Sequence, residues 1–312
     1  MASTRQDYGK DIPILKHFTS ALLLYKHTGS ENALLLANEA LKQITDLELK
    51  SGPLLLRFNT LNHNNILTRI LLDANLGLPL PLNGCLPTRY EKIFESAGIV
   101  RYRYDDFALT ITRENTAILK VQNGHLKTYI KLTGSFFARG KMKTQIIKKI
   151  NGGYRCKYQI DWGYIRPIEN LHEKDWNQIN QNSRNKVNMQ KLIYQVDVFP
   201  HKSGLNIHIT SEGTPNVPIK LEFIFDEGGM LYTEHITQPG ISGSYSIVGE
   251  SFTYERYGEK LAVEGGFNFH NYAPEMRGSD PMPQSSYCVF FTGFTPIDSN
   301  IKISAPRFSE IN

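Results

Sequence analysis

The chain has 312 residues, of which 40% are hydrophobic and 21% are charged, and its formal net charge is +5. This length favours about two domains, and the composition excludes an intrinsically disordered protein. A charge of +5 is too small to indicate nucleic acid as a partner, although an acidic polymer would suit it.

The sequence carries few signs of bound metals, cofactors or membranes. Cys85, Cys156 and Cys288 lie far apart without the Cys/His spacing of a zinc site, so we expect neither a disulfide scaffold nor a metal, and no cofactor motif is present. The first ten residues lack the apolar core of a signal peptide, and no apolar stretch reaches membrane-spanning length. We expect a soluble cytoplasmic protein without a membrane partner, unless a targeting segment has been lost, and oligomerisation stays open.

Apolar residues recur at helical spacing near the N-terminus. Residues 12–27 place them at steps of three and four, and Gly29 is expected to end this helix. Ser30 is the predicted N-cap of a second, antiparallel helix that runs to Gly52. A third helix is predicted from about 62 to 75, which together gives an array of α-helical hairpins.

The Pro-rich segment Leu78–Pro87 cannot be helical and is the best candidate for a linker. After it the pattern becomes that of β-strands, and Asn123–Gly124 signals a tight hairpin. The polar segment Asn170–Asn188 is expected to connect two halves of a sandwich. Strands are predicted at 107–113, 116–122, 126–133, 142–150, 154–162, 192–199, 205–210, 219–225, 252–257, 267–271 and 287–292. The sequence therefore predicts an α+β multidomain protein, with a short helical hairpin array at 1–87 and a large antiparallel β-sandwich at 88–312.

Four segments of the β-region share a pattern with a known family: Glu95–Arg103, Gly134–Met142, Val217–Phe225 and Thr292–Pro296. In this order they resemble the rear half of heparinase II/III-like proteins, and the likeness spans most of residues 90 to 304. The resemblance implies a partial α/α toroid followed by a β-supersandwich. It also implies a polysaccharide lyase that cleaves an acidic, uronate-containing polysaccharide by β-elimination, with catalytic groups that come largely from the toroid.

A uronate β-elimination requires a group that neutralises the carboxylate and a Tyr or His that removes the C5 proton. The segment Phe269–Arg277 contains all these residue types. His270 and Tyr272 would point to one side of a strand as candidate bases, and Arg277 would pair with the carboxylate. The alternative is a structural strand end, with a surface His270 and an ion pair between Arg277 and Glu275.

Two further groups are candidates for substrate binding. Arg139 and Lys141 follow two phenylalanines, a mixture suited to sugar stacking and to pairing with a carboxylate or sulfate. Trp162 and Tyr164 would form a flat platform for a sugar if they are exposed. In the alternative interpretation, the aromatic residues of both groups belong to the core of the sandwich.

Other polar residues have simpler explanations. The cluster Asn59–Asn65 is best interpreted as a helix cap, and His201, His208 and His235 lack the spacing of metal ligands. Two hypotheses therefore remain. The first is a lyase-like, carbohydrate-active protein for an acidic polysaccharide, and the second is a non-catalytic carbohydrate-binding or assembly module.

Overall fold

The computed structural model describes residues 12–51, 87–166, 185–237, 243–270, 276 and 286–306. The chain divides into two compact units, Met1–Pro87 and Thr88–Asn312. The predicted third helix, the cluster Asn59–Asn65 and most of the segments Leu78–Pro87 and Asn170–Asn188 lie outside the described residues.

The first unit contains an antiparallel helical hairpin. Helix α1 spans Ile12–Thr28 and helix α2 spans Glu31–Ser51, close to the predicted bounds. Gly29 adopts a φ of +64°, and its N–H donates to the carbonyl of Tyr25 at 2.7 Å, which is the left-handed C-cap that glycine favours. The helices bury small and apolar side chains against each other: Phe18, Ala21, Leu22, Leu34, Ala37 and Ala40.

The second unit consists of two sheets. In the first sheet the strands are β1 (Arg89–Phe94), β2 (Ile99–Tyr104), β3 (Phe107–Thr112), β4 (Leu119–Asn123), β5 (Leu126–Gly134), β6 (Gly140–Lys141), β11 (Pro218–Asp226), β13 (Ile236–Thr237), β14 (Ser244–Ile247) and β17 (Ser286–Phe294). In the second sheet they are β7 (Ile146–Ile150), β8 (Gly153–Ile165), β9 (Lys186–His201), β10 (Gly204–Gly213), β12 (Met230–Tyr232), β15 (Ser251–Arg256), β16 (Glu259–Glu264) and β18 (Asp298–Ser304).

The first sheet has the order β1-β2-β3-β4-β5-β11-β17-β14-β13, with β6 paired to β5, and the second has the order β12-β15-β16-β18-β10-β9-β8-β7. The strands given above pair antiparallel within the described residues, except that β14 and β17 are parallel. Inward-facing residues of both sheets form one hydrophobic core, with Leu109 and Phe223 from the first sheet and Tyr194 and Ile207 from the second. The sheets therefore build a β-sandwich, as predicted.

Some predicted strands differ from the structure. The strand expected at 142–150 begins only at Ile146. The strand expected at 267–271 is reduced, over its described part, to a single bridge between Asn268 and Thr292. The predicted hairpin at Asn123–Gly124 is confirmed, since Asn123 pairs with Leu126. The short strands β12, β13 and β14 were not predicted.

Strand β11 is buried on both of its faces, which is unusual for residues such as Lys220 and Glu222. Their side chains form an ion pair with 2.8 Å between Nζ and Oε1. A buried charge needs such a partner because its desolvation is costly. The centre of the first sheet is thus covered, whereas its β1 to β5 end keeps exposed polar side chains.

In the part of the chain that the structure describes, neither helix has the length and apolarity needed to cross a lipid bilayer.

Candidate functional site

Five side chains form a mixed aromatic and cationic group, which we call the Trp162 cluster: Phe137, Arg139, Trp162, Tyr164 and Lys186. The guanidinium carbon of Arg139 lies 3.8 Å from the centroid of the Trp162 ring, and Nζ of Lys186 lies 3.5 Å from the same centroid. The rings of Phe137 and Tyr164 meet edge to face at 5.1 Å. The structure therefore brings together three residues that the sequence analysis selected: Arg139, Trp162 and Tyr164.

A β-bulge aligns the two aromatic residues of β8. Trp162 lies opposite Gln190 and Tyr164 lies opposite Val187, so two residues of β9 oppose Gly163 alone. One of these two residues, Asn188, has a φ of +52°, a left-handed conformation that asparagine tolerates. A side chain at position 163 would come within 2.4 Å of the Val187 carbonyl oxygen, which explains the glycine.

The turn after β5 carries Phe137 and Arg139. Phe136 is buried, at 2% exposure, and its ring contacts that of Phe137 at 4.9 Å. Phe137 and Ala138 have φ values of +48° and +58°, which are strained for residues other than glycine. The hydroxyl of Tyr158 donates to the carbonyl oxygen of Arg139 at 3.2 Å, and the Arg139 N–H donates to the Phe136 carbonyl at 2.7 Å. The turn is therefore fixed by the core on one side and by β8 on the other.

Trp162 and Tyr164 differ in exposure, whereas the prediction made both of them a platform for a sugar. Trp162 is half-buried against the core, and its ring is engaged by two cations, so it is not a free stacking platform. Tyr164 is 61% exposed and offers its ring to solvent. Phe136 belongs to the core, which confirms the alternative interpretation for that residue.

Electrostatics make the cluster suitable for an anion. Within the described residues, neither Arg139 nor Lys186 forms an ion pair with a carboxylate. One indole ring thus holds two positive charges that repel each other, and a bound anion would relieve that repulsion. A guanidinium and an ammonium can pair with a carboxylate or sulfate, and the face of a tyrosine ring can stack on the sugar that carries it.

The predicted catalytic segment is only partly described. His270 is buried, at 9% exposure, and its Nε2 lies 3.2 Å from the carbonyl oxygen of Ile219. Burial lowers the pKa of His270, while backbone groups of Ile219 and Gly293 oppose this effect. Its ring also contacts Phe294 at 5.0 Å, and the hydroxyl of Thr292 donates to its carbonyl oxygen.

This environment favours a structural role for His270 rather than contact with a polymer, because the imidazole is enclosed and hydrogen bonded to the main chain. The other two predicted catalytic residues, Tyr272 and Arg277, lie outside the described residues. Lys141 lies in β6 opposite Thr133, outside the contacts that define the Trp162 cluster.

Sequence reasoning did not identify Lys186 as a site residue. It lies near the end of the polar segment Asn170–Asn188, for which the sequence predicts only a connection, and its approach to Trp162 depends on the pairing of β8 with β9. A helical or alternating pattern does not carry this information, since the bulge sets the register. The local signals of the cluster were the tryptophan followed by glycine and tyrosine, and the phenylalanines before Arg139.

A second feature that the sequence did not reveal is a cavity of about 220 Å³ with aromatic walls. Tyr245, Tyr254 and Tyr287 line it, together with aliphatic side chains and Gly229. The hydroxyl of Tyr254 donates to the Asp226 carbonyl at 2.7 Å and accepts from the Gly229 N–H at 3.1 Å. Burial raises the pKa of Tyr254 to about 12, so this phenol stays neutral. None of the described residues that line the cavity is charged, which distinguishes it from the Trp162 cluster.

Across the described ranges, no group of three or more His, Cys, Asp or Glu side chains is arranged to hold a metal ion. Comparison of the chain with protein-family models gives no match. A search of curated proteins likewise gives no significant relative.

Proposed function

We propose that this protein binds an acidic polysaccharide through the Trp162 cluster. The observation that carries the proposal is the pair of cations, Arg139 and Lys186, held on the ring of Trp162 without a carboxylate partner among the described residues. Tyr164 would stack on a sugar ring while the two cations pair with its carboxylate or sulfate. The net charge of +5 also favours an anionic ligand.

The proposal extends to the family that the sequence resembles. The two-sheet unit would correspond to the β-supersandwich of heparinase II/III-like proteins, and the hairpin of α1 and α2 would belong to a partial α/α toroid. The large sandwich and the antiparallel helices before it are compatible with this correspondence. On this basis a uronate-containing polymer is the preferred ligand class.

Catalytic β-elimination is the second candidate. The observation in its favour is Arg139, a guanidinium in an aromatic site without a carboxylate partner among the described residues, which suits a substrate carboxylate. Arg277 would assist in pairing that carboxylate. The enclosure of His270 makes Tyr272 the stronger candidate for the base. Without a functioning base, the protein would be a binding or assembly module.

One set of incubations tests both candidates. The protein is mixed with alginate, heparin, hyaluronan and pectin, and binding is measured by calorimetry while the absorbance of unsaturated uronate is followed. Binding without absorbance supports the binding module, and an increase in absorbance supports the lyase. If none of the four polymers binds, the proposal is wrong.

The variant Arg139→Gln/Lys186→Gln identifies the site. It removes two positive charges and retains polar side chains, so we expect affinity for acidic polymers to fall at least about tenfold. Lys148→Gln/Lys157→Gln is the matched control, since both lysines are exposed on the second sheet and the change in net charge is the same. Equal losses in the two variants would show that net charge alone governs binding.

A further inference from the structure

The outward-facing side of the first sheet, at its β1 to β5 end, carries several cations. Side chains alternate between the two faces of a strand. Four residues of neighbouring strands are successive cross-strand partners and are buried in the core: Val100, Ile111, Leu119 and Ile130. On each strand, the residues directly before and after these buried residues therefore point away from the core.

Two outward rows follow from the same register. The first joins Lys92, Arg101, Thr110, Lys120 and Tyr129 as successive cross-strand partners. The second joins Tyr90, Arg103, Ala108, Gln122 and Lys127. We call the five cations of these rows the basic face: Lys92, Arg101, Arg103, Lys120 and Lys127. No carboxylate occurs in either row.

Within the described residues, none of the five cations of the basic face forms an ion pair. Arg101 donates to the hydroxyl of Thr110, and Arg103 donates to the carbonyl oxygen of Asp105 at 2.9 Å, so both arginines are oriented by neutral acceptors. Lys92 and Arg101 are direct cross-strand partners, and like charges in that position destabilise a sheet.

Lys120 lies close enough to other cations of the basic face for them to change its pKa. Burial lowers its pKa, and repulsion by Lys127 and Arg101 lowers it further. The carboxylate of Asp226 raises the pKa of Lys120, but it also forms an ion pair with Arg256 at 3.2 Å. Nζ of Lys120 also lies 5.6 Å from the centroid of the Tyr129 ring, which is 39% exposed. The basic face thus combines unneutralised cations with exposed tyrosine.

We propose that the basic face is a second contact surface for an acidic polysaccharide, which lies across strands β1 to β5. For the chemical class of its ligand, this inference rests on the proposed function. The first row crosses five strands and is about 19 Å long, at about 4.8 Å between neighbouring strands, so it offers several anionic groups a place along one chain. A polyanion removes the mutual repulsion of the cations, which no residue of the two rows does.

The test compares charge reversal on the two sheets. Arg101→Glu/Lys120→Glu alters the basic face, and Lys148→Glu/Lys157→Glu makes the same change in net charge on the second sheet. Binding of heparin is measured by calorimetry at several salt concentrations, with double-stranded DNA and neutral dextran as competitors. We expect the first variant to raise the Kd at least about tenfold and to weaken the salt dependence, and the control to change it less than about twofold.

Thermal unfolding checks that each variant is folded, and Arg101→Gln/Lys120→Gln is the substitute if charge reversal prevents folding. An unchanged Kd in the basic-face variants, or an equal loss in the control, would overturn the inference and leave the Trp162 cluster as the site. DNA that binds the basic face more tightly than heparin would overturn the assignment to a polysaccharide. If the unaltered protein binds no acidic polysaccharide, the proposed function fails, and the inference fails with it.

Discussion

The guanidinium carbon of Arg139 lies 3.8 Å from the centroid of the Trp162 ring, although the two residues belong to different sheets of the sandwich. Arg139 is in the turn that joins β5 to β6 of the first sheet, and Trp162 is in β8 of the second. The contact between the cation and the ring therefore depends on how the sheets pack. This relationship connects the stability of the sandwich to the proposed binding site.

Replacing Trp162 with leucine is expected to weaken binding of acidic polysaccharides while largely preserving the core. Leucine keeps apolar contact with the core but lacks the π-face that holds Arg139 and Lys186. Each cation–π contact contributes roughly 0.5 to 1 kcal/mol at an exposed site, so we expect about a fivefold to thirtyfold rise in Kd, measured by calorimetry.

Tyr257→Leu is the matched control for that substitution. Tyr257 is 76% exposed, and its ring lies 4.7 Å from the guanidinium carbon of Arg256. Loss of this second cation–π contact should leave polysaccharide binding unchanged. Similar losses of affinity in both variants would contradict a specific role for Trp162.

Gly163→Ala tests the bulge that aligns Trp162 with Tyr164. The added methyl group would meet the Val187 carbonyl oxygen at 2.4 Å, so the backbone of β8 or β9 must shift. We expect the free energy of unfolding to fall by roughly 1 to 3 kcal/mol, with weaker polysaccharide binding, measured by urea unfolding and calorimetry. Gly249→Ala, whose new methyl group meets no atom within 4 Å, should change neither quantity. Unaltered stability in Gly163→Ala would contradict the described packing.

His270 predicts a loss of stability in mild acid. Burial lowers its pKa in the folded state, so below about pH 6.5 the unfolded chain binds a proton that the folded chain does not. The free energy of unfolding should therefore decrease from pH 7.5 to pH 5.5, by at most about 1.4 kcal/mol per pH unit for one histidine. The pKa of His201 is lowered as well, by burial and by Lys302, and adds to the effect in the same direction.

Urea unfolding of His270→Gln across this range measures the contribution of that imidazole. Glutamine does not titrate and retains an N–H donor near the Ile219 carbonyl, so we expect a shallower pH dependence. His27→Gln, on the exposed side of α1, is the control. An identical pH dependence in His270→Gln and the unaltered protein would show that His270 does not titrate in the expected direction.

Lys220 and Glu222 form an ion pair in the centre of the first sheet, so we expect substitutions of the two residues to have coupled effects on the free energy of unfolding. Both side chains are buried, at 3% and 8% exposure. Lys220→Met leaves the carboxylate without its ammonium partner, and we expect a loss of roughly 3 to 5 kcal/mol in the free energy of unfolding. Lys220→Met/Glu222→Leu should lose less than the single variant, since it leaves neither charge of this pair buried without its partner. If the loss in the double variant equals the sum of the losses in Lys220→Met and Glu222→Leu, measured by urea unfolding, this expectation is wrong.

Local patterns were sufficient for the elements with strong periodicity. The spacing of apolar residues in α1 and α2, the glycine after Thr28 and the hairpin at Asn123–Gly124 all depend on residues close in sequence. The short strands β12 and β13 depend instead on their partners, because two or three residues carry no period of their own.

The site required information that no local pattern contains. Trp162 and Tyr164 were selected because aromatic residues with polar neighbours suit sugars, but whether they are exposed depends on the bulge opposite Gly163. The basic face was not predicted at all, since its five cations come from four strands and share a side only after the register is known. His270 is predicted as a candidate base, or in the alternative interpretation as a surface residue, and long-range packing encloses it.

Trp162 fluorescence offers the most direct measurement of the central claim. The chain has two tryptophans, and Trp176→Phe leaves Trp162 as the only reporter. Titration with heparin or alginate in low salt should give a saturable change in emission that disappears in about 1 M salt, where charges are screened within about 3 Å. The same titration in Arg139→Gln/Lys186→Gln should give little change. An emission that stays constant with all four acidic polymers, or a change that persists undiminished in that variant, would contradict the account.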